Sequence, residues 1–517
     1  METTEINRDE QKQLALEKLR SELEGKRGQQ YWRTLDEVTG TEEFKTWYED
    51  EFPNRKEILN IDRRTLLKYA AASFALAGLS GCRGVFLPED KLVPYVKSPE
   101  ELVSGRPLFY ASAVTLAGYA TGVLVEQYEG RPIKLEGNPE HPSSLGALDS
   151  LSQAEILSFY DPDRTQIVMK GDEIATWDEF HKVIDEQFGA RLSTGGAGIG
   201  MLFGAITSPT QGWLIERLKK KYPGAKFYSY EPTGRAVTTA AVKQITGSAG
   251  VPLYDFTKAK VIVTIDGDFL SKTETPGALV YARQFARGRK VTGYKGEMNR
   301  LYSVESNCGL VGSVADHRFA VKPSEIASCV SALASALGVG GADGAPKSLQ
   351  EHVAAIAKDL QAHRGASVIV AGEHLPIEIQ VAVHQLNAAL GNVGTTVKYI
   401  ASPEISAEFG TLADMAADLN AGKIEIAFIA NSNPVYTAPS DMKFGEALDK
   451  AKLKVHLSAY HDETSKHCEW HVPSAHSLEV WGDARGHDGT ASIIQPIIAP
   501  LFEGRSEIEV LSSLLLE

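Results

Sequence analysis

Between residues 197 and 459 the chain repeats one pattern: a short apolar run, then a stretch with helical spacing. The runs 197–204, 227–230, 261–265, 367–371, 397–400, 424–430 and 454–459 read as strands. The stretches 208–222, 234–246, 276–287, 377–390, 412–420 and 444–451 read as helices. A strand apolar on both sides needs cover on both sides, and parallel strands need a long crossover between them. The pattern therefore predicts an α/β fold with doubly wound parallel sheets. A glycine-rich stretch at 338–345 divides it into a first α/β domain, 171–337, and a second, 346–517. With 43% apolar and 23% charged residues in a chain of 517, both have the material for a core.

Ahead of the repeats, 83–170 reads as a small β-rich domain. Its hairpin joins 123–128 to 133–135 through Glu129-Gly130-Arg131-Pro132. Residues 1–60 are a polar, helix-prone extension, and 61–82 look like an export signal. Arg63 and Arg64 precede a mild Ala/Gly-rich run, the twin-arginine pattern, and that run is too short to span a membrane. It ends in Leu79-Ser80-Gly81-Cys82, which resembles a lipobox with Cys82 as the acylated residue. The localisation expected is the outer, periplasmic face of the cytoplasmic membrane.

The net charge of −14 excludes a basic track for nucleic acid. The four cysteines, at 82, 308, 329 and 468, are too scattered for an iron–sulfur cluster or a disulfide scaffold. Residues 461–490 hold five of the thirteen histidines, one cysteine and two of the six tryptophans, which first suggests a metal or catalytic site. The order is wrong for one. His467-Cys468-Glu469 contains H-x-E without the P-C-x-x-C that zinc deaminases add, and 470–473 reads as a strand ending at Pro473. A capped, hydrogen-bonded loop system is expected instead.

The glycines at 195, 196, 198 and 200 precede a strand rather than follow one, so they form a loop and not a dinucleotide fingerprint. Better ligand candidates are the strand-end loops 205–210, 266–271, 372–376 and 431–439, because doubly wound folds bind ligands at the carboxyl edge. The last offers the amides of Asn431 and Asn433 beside Pro434.

Together these segments resemble a known family. Gly130-Arg131-Pro132, Gly137-Asn138-Pro139, His141-Pro142 and Tyr160-Asp161-Pro162-Asp163-Arg164 look like the opening of molybdopterin oxidoreductases. Leu386-Asn387 through Gly391-Asn392-Val393-Gly394, and Asn433-Pro434 through Pro439, look like the later dinucleotide-facing loops of that superfamily. A narrower resemblance is to the large iron–sulfur subunit of alternative complex III, a quinol:electron-acceptor oxidoreductase. It rests on Tyr31-Trp32-Arg33, Pro94-Tyr95-Val96-Lys97, Asp266-Gly267-Asp268-Phe269-Leu270 and Trp470 through Thr490.

The departures from that family shape what the resemblance implies. No cysteine lies between 108 and 123, Asp149 stands where a fourth cluster cysteine is expected, and 230–235 supplies no cysteine near the usual metal-ligand position. The implied protein is a molybdopterin-oxidoreductase-like scaffold with no cofactor of its own. Asn431, Asn433, Pro434, Gly391 and Gly394 are then vestigial cofactor-facing positions. The implied partners are membrane quinol-oxidising subunits, haem c cytochrome subunits and an iron–sulfur module. In the family a ferredoxin-like cysteine-rich domain carries those clusters; this sequence ends at Leu516-Glu517 before one, as a fragment, a split-gene product or a shortened homologue would. The competing expectations are an active molybdopterin enzyme with Asp149 or Glu231 as metal ligand, and a soluble nucleotide-binding module.

Overall fold

The computed structural model describes residues 103, 105–271, 273, 275–291, 296–342 and 344–515. Residues 1–60, Arg63, Arg64 and Cys82 lie outside them. Strands β1 (Leu108–Leu116), β2 (Tyr119–Tyr128) and β3 (Arg131–Gly137) form an antiparallel meander. The β2–β3 turn places Glu129 at φ 47° and Gly130 at φ 88°, the left-handed pair that matches strand twist in a two-residue hairpin. A small hairpin of β4 (Met169–Lys170) and β5 (Glu173–Ile174) follows.

The parallel part then begins with β6 (Ile199–Phe203) and β7 (Lys226–Ser229). The chain next runs through β8 (Gly250–Tyr254), β9 (Val261–Ile265), β10 (Arg300–Glu305), β11 (His317–Ala320), β12 (Ser367–Ala371) and β13 (Val397–Ala401). It ends with β14 (Ile426–Ala430), β15 (Leu453–Ser458), β16 (Trp470–Pro473) and a hairpin of β17 (Gly482–Arg485) and β18 (Ala491–Ile494). No helix among the described residues is long and apolar enough to cross a membrane.

Two sheets carry the architecture. One has seven strands, β5-β4-β16-β15-β14-β6-β7; the other has four, β11-β10-β9-β12, all parallel. Alternation along each strand feeds two cores. On β6, Ile199, Met201 and Phe203 enter one apolar cluster while Leu202 enters the cluster on the opposite face. On β9, Val261, Val263 and Ile265 face one side and Ile262 the other. This is the two-sided cover that apolar strands require.

The expected division at 338–345 is not how the sheets divide. That stretch lies between β11 and β12, within one sheet, because β12 pairs with β9. Likewise β14 pairs with β6 across more than 220 residues of sequence. One α/β layer is therefore inserted into the other. The two crossing segments, β8 and β13, pair antiparallel with each other, so the strand expected at 397–400 joins neither large sheet. Sheet membership is set by long-range pairing, which local composition does not encode.

Candidate functional site

Parallel strands bring their carboxyl ends to one edge, and both sheets carry strained residues there. Asn431 follows β14 at φ 48° and Asp266 follows β9 at φ 46°, left-handed conformations uncommon outside glycine. The two edges are tied by a buried ion pair. Arg235, shortly after β7, meets Glu373, just after β12, through contacts of 2.6 and 2.9 Å. Burial raises the Glu373 carboxyl above its ordinary value, and the Arg235 guanidinium opposes that shift. Tyr119 and Glu404 complete this polar group, and with Arg235 they line a cavity of about 230 Å³. Burial pushes Glu404 up as well.

A second recess, about 350 Å³, opens where β14, β15 and β16 end, at Asn431, Ala459 and Ser474. Its far wall is Glu507, the first residue of helix Glu507–Ser513. The Asn431 side-chain amide donates to Glu507 Oε2 at 2.9 Å, while Glu507 Oε1 has no partner in the protein. Burial pushes the Glu507 carboxyl up to about 7. Two more carboxyls line the recess. Glu155 pairs with His476 at 3.0 Å, and Asp483 accepts from Ser208 and, at 2.6 Å, from Thr210. Among the described residues that line it there is no lysine or arginine.

The positions singled out in sequence scatter on folding. Asn431 is at the crevice. Asn433 is engaged within its own loop: its Oδ1 accepts from Thr464 Oγ1 at 2.7 Å, and its amide donates to Glu463 at 2.8 Å. Pro434 is buried in the first turn of helix Pro434–Thr437. Gly391 and Gly394 do not face the crevice, which corrects the expectation. They follow helix Ile377–Ala389, which runs back from the carboxyl edge; Gly391 lies beside Gly365, where β12 begins, and Gly394 sits in the turn ahead of β13, its amide donating to Val397. Their φ angles of 71° and 89° show the ordinary reason for glycine there.

The alternative metal ligands fare differently. Asp149 caps helix Ser150–Phe159, both its oxygens accepting from Ser152 at 2.7 and 2.9 Å. Glu231 follows β7, and burial raises its carboxyl above the ordinary value. Of the histidines of 461–490, His461 and His471 meet edge to face at 5.1 Å while the others engage separate partners. His471 sits between Thr165 and Ser465 at 2.7 and 3.0 Å, His467 meets Asp449, and His476 meets Glu155. Cys468 is buried and its thiol pushed up to about 12. Among the described residues no group of three His, Cys, Asp or Glu side chains could hold a metal ion. Glu373 lies in the loop 372–376 that the sequence singled out, whereas Glu507 was missed. Glu507 does carry a local signal, since Ser506 and Glu509 form the capping box that starts its helix.

This arrangement defines a class. The mixed α/β fold with parallel sheets is similar to that of the molybdopterin oxidoreductases. The acetylene hydratase of Pelobacter acetylenicus superposes with a TM-score of 0.61 at 13% identity, over 78% of this chain and 68% of that one. Residues 312–516 match the family described as molybdopterin oxidoreductase. A particular relative is the menaquinone reductase, molybdopterin-binding-like subunit, of Nitratidesulfovibrio vulgaris (strain Hildenborough). It is 24% identical, across 88% of this chain and 72% of the relative.

The recess at the strand ends offers a pterin dinucleotide no lysine or arginine among its described lining residues. Such a ligand needs cations or free backbone amides for its pyrophosphate, and here carboxyls line the recess at the strand ends. Drug-sized ligands need roughly 300–1,000 Å³ of cavity. The 230 Å³ space beside Arg235 falls below that range, and the ion pair with Glu373 ties the two edges together there.

Proposed function

We propose that this chain is a non-catalytic, molybdopterin-oxidoreductase-like scaffold subunit of a membrane-associated quinol:electron-acceptor oxidoreductase. What supports the complex is the relative, which is by its name a subunit of a menaquinone reductase. The observation that supports the non-catalytic part is the recess at the strand ends, where Glu155, Asp483 and Glu507 stand and no lysine or arginine is among the described lining residues. A carboxyl-lined recess repels the phosphates by which a dinucleotide is held.

In this proposal the chain is exported through Arg63 and Arg64, is anchored through Cys82, and works on the outer face of the cytoplasmic membrane. Its partners are quinol-oxidising membrane subunits, haem c cytochrome subunits and a module carrying iron–sulfur clusters, as in alternative complex III. Metal analysis of the purified chain tests the first part: molybdenum and tungsten should both fall far below one atom per chain. Stoichiometric amounts of either would overturn the scaffold reading in favour of an active enzyme with Glu231 as ligand. Recovery from native membranes tests the second, since a free monomer would contradict subunit status.

A further inference from the structure

A third recess, about 400 Å³, is bordered by helix Trp177–Gly189, by Arg505 and by helix Glu507–Ser513. Its size falls within the roughly 300–1,000 Å³ of small-ligand sites. Arg505 is half-buried there, and its guanidinium is held in one plane. It lies over the Trp177 ring, 4.5 Å from the centroid, and its Nη1 donates to His181 Nε2 at 2.9 Å. Trp177 is fixed in turn, its indole N–H donating to the Glu503 carbonyl at 2.7 Å.

What this guanidinium lacks is a counter-charge. Arg164, Arg191, Arg235 and Arg289, also buried or half-buried, each meet a carboxylate at 2.6 or 2.7 Å. No carboxylate among the described residues pairs with Arg505; its one side-chain acceptor is an imidazole nitrogen, which must be unprotonated to accept. A guanidinium held flat by stacking keeps its remaining N–H groups in a fixed fork, the geometry that takes a carboxylate through two parallel hydrogen bonds. Two carboxyls share the recess. Glu509 is engaged at Oε2 by the Ser506 amide and hydroxyl, at 2.7 and 2.8 Å, and Asp185 is exposed. Like charge there works against a doubly charged phosphate more than against a singly charged carboxylate.

We infer that this recess is a carboxylate site, in which Arg505 binds an organic acid or an acidic side chain of a partner through the donors that His181 leaves free. Calorimetry on the purified full chain compares N-acetylglycine with the uncharged N-acetylglycinamide and with inorganic phosphate. The acid is expected to bind at least ten-fold tighter than the amide, and Arg505→Gln to abolish the difference. Asp185→Asn, an exposed change that removes a repelling charge, should tighten the acid at least two-fold, and it tests the site even if Arg505→Gln fails to fold.

Recovery of the tagged chain from its native membranes separates the two sources. Partner subunits kept by the wild type and lost from Arg505→Gln identify an acidic side chain of a partner. Equal recovery, with the acid still bound tighter than the amide, identifies a free organic acid. Equal binding of acid and amide together with equal recovery overturns the site. Phosphate binding tighter than N-acetylglycine overturns the carboxylate assignment, and acid binding that Asp185→Asn leaves unchanged overturns its placement in this recess.

Discussion

Asn387 reaches the outer edge of β12 with both ends of its amide. Its Oδ1 accepts from the Ile369 amide at 3.0 Å and its Nδ2 donates to the Ile369 carbonyl at 2.7 Å. β12 is an edge strand, so without this side chain the two backbone groups would be buried and unpaired. Asn387→Ala is therefore expected to cost about 2–4 kcal/mol in urea unfolding, from two orphaned groups at 1–3 each less relaxation. In sequence, Asn387 sat in a run that resembled a dinucleotide-facing loop; the structure makes it a staple between helix and strand. Arg164 and Glu479 follow the same logic. They form a two-pronged ion pair at 2.7 and 3.1 Å, almost wholly buried, that links the loop after helix Ser150–Phe159 to the strand-end loops. Glu479→Gln should cost about 3–5 kcal/mol, because Arg164 would keep a buried charge without its counter-charge. An Arg164→Met, Glu479→Leu double variant should recover much of that loss, read from the same unfolding curves.

Helix Glu507–Ser513 has only seven residues, yet it closes one wall of the recess. It is held by its capping box and by Val510 and Leu511, which enter the core on one face of the seven-stranded sheet. Its first residue brings a pH dependence. The Glu507 carboxyl is raised from an ordinary 4.5 to about 7, with burial as the main cause. Between those values the unfolded chain releases the proton while the folded chain keeps it. Stability from this group is therefore full below 4.5, declines as pH rises to 7, and is level above. The change over the full range is on the order of 3 kcal/mol. Urea midpoints at pH 5 and pH 7.5 should differ in the wild type, and Glu507→Gln should remove that component. A midpoint difference equal in wild type and variant would refute the assignment. The capping box was readable from Ser506 and Glu509. The burial of Glu507 was not, because it depends on Asn431, seventy-six positions earlier in the chain.

At the scale of the molecule, the Arg235–Glu373 pair holds the carboxyl edges of the two sheets against each other. Glu373→Gln would leave Arg235 buried without its counter-charge and should destabilise by about 3–5 kcal/mol. Amide exchange should rise in both strand-end loops, after β7 and after β12, while exchange within β6 and β14 stays slow. Exchange rising at one loop alone would mean that the pair does not couple the edges. The sequence by itself determined the alternation of apolar strands and helices, the β2–β3 hairpin, and the loops that follow the strands. Those depend on side-chain period and turn chemistry among near neighbours, as in the Glu129-Gly130 turn. Only the tertiary structure decided that β12 joins β9 and β14 joins β6, that Gly391 falls on the far edge, and that Glu507 faces Asn431. The physical reason is that strand pairing and charge burial are set by partners far apart in the chain. A five-residue apolar run looks the same whichever sheet receives it.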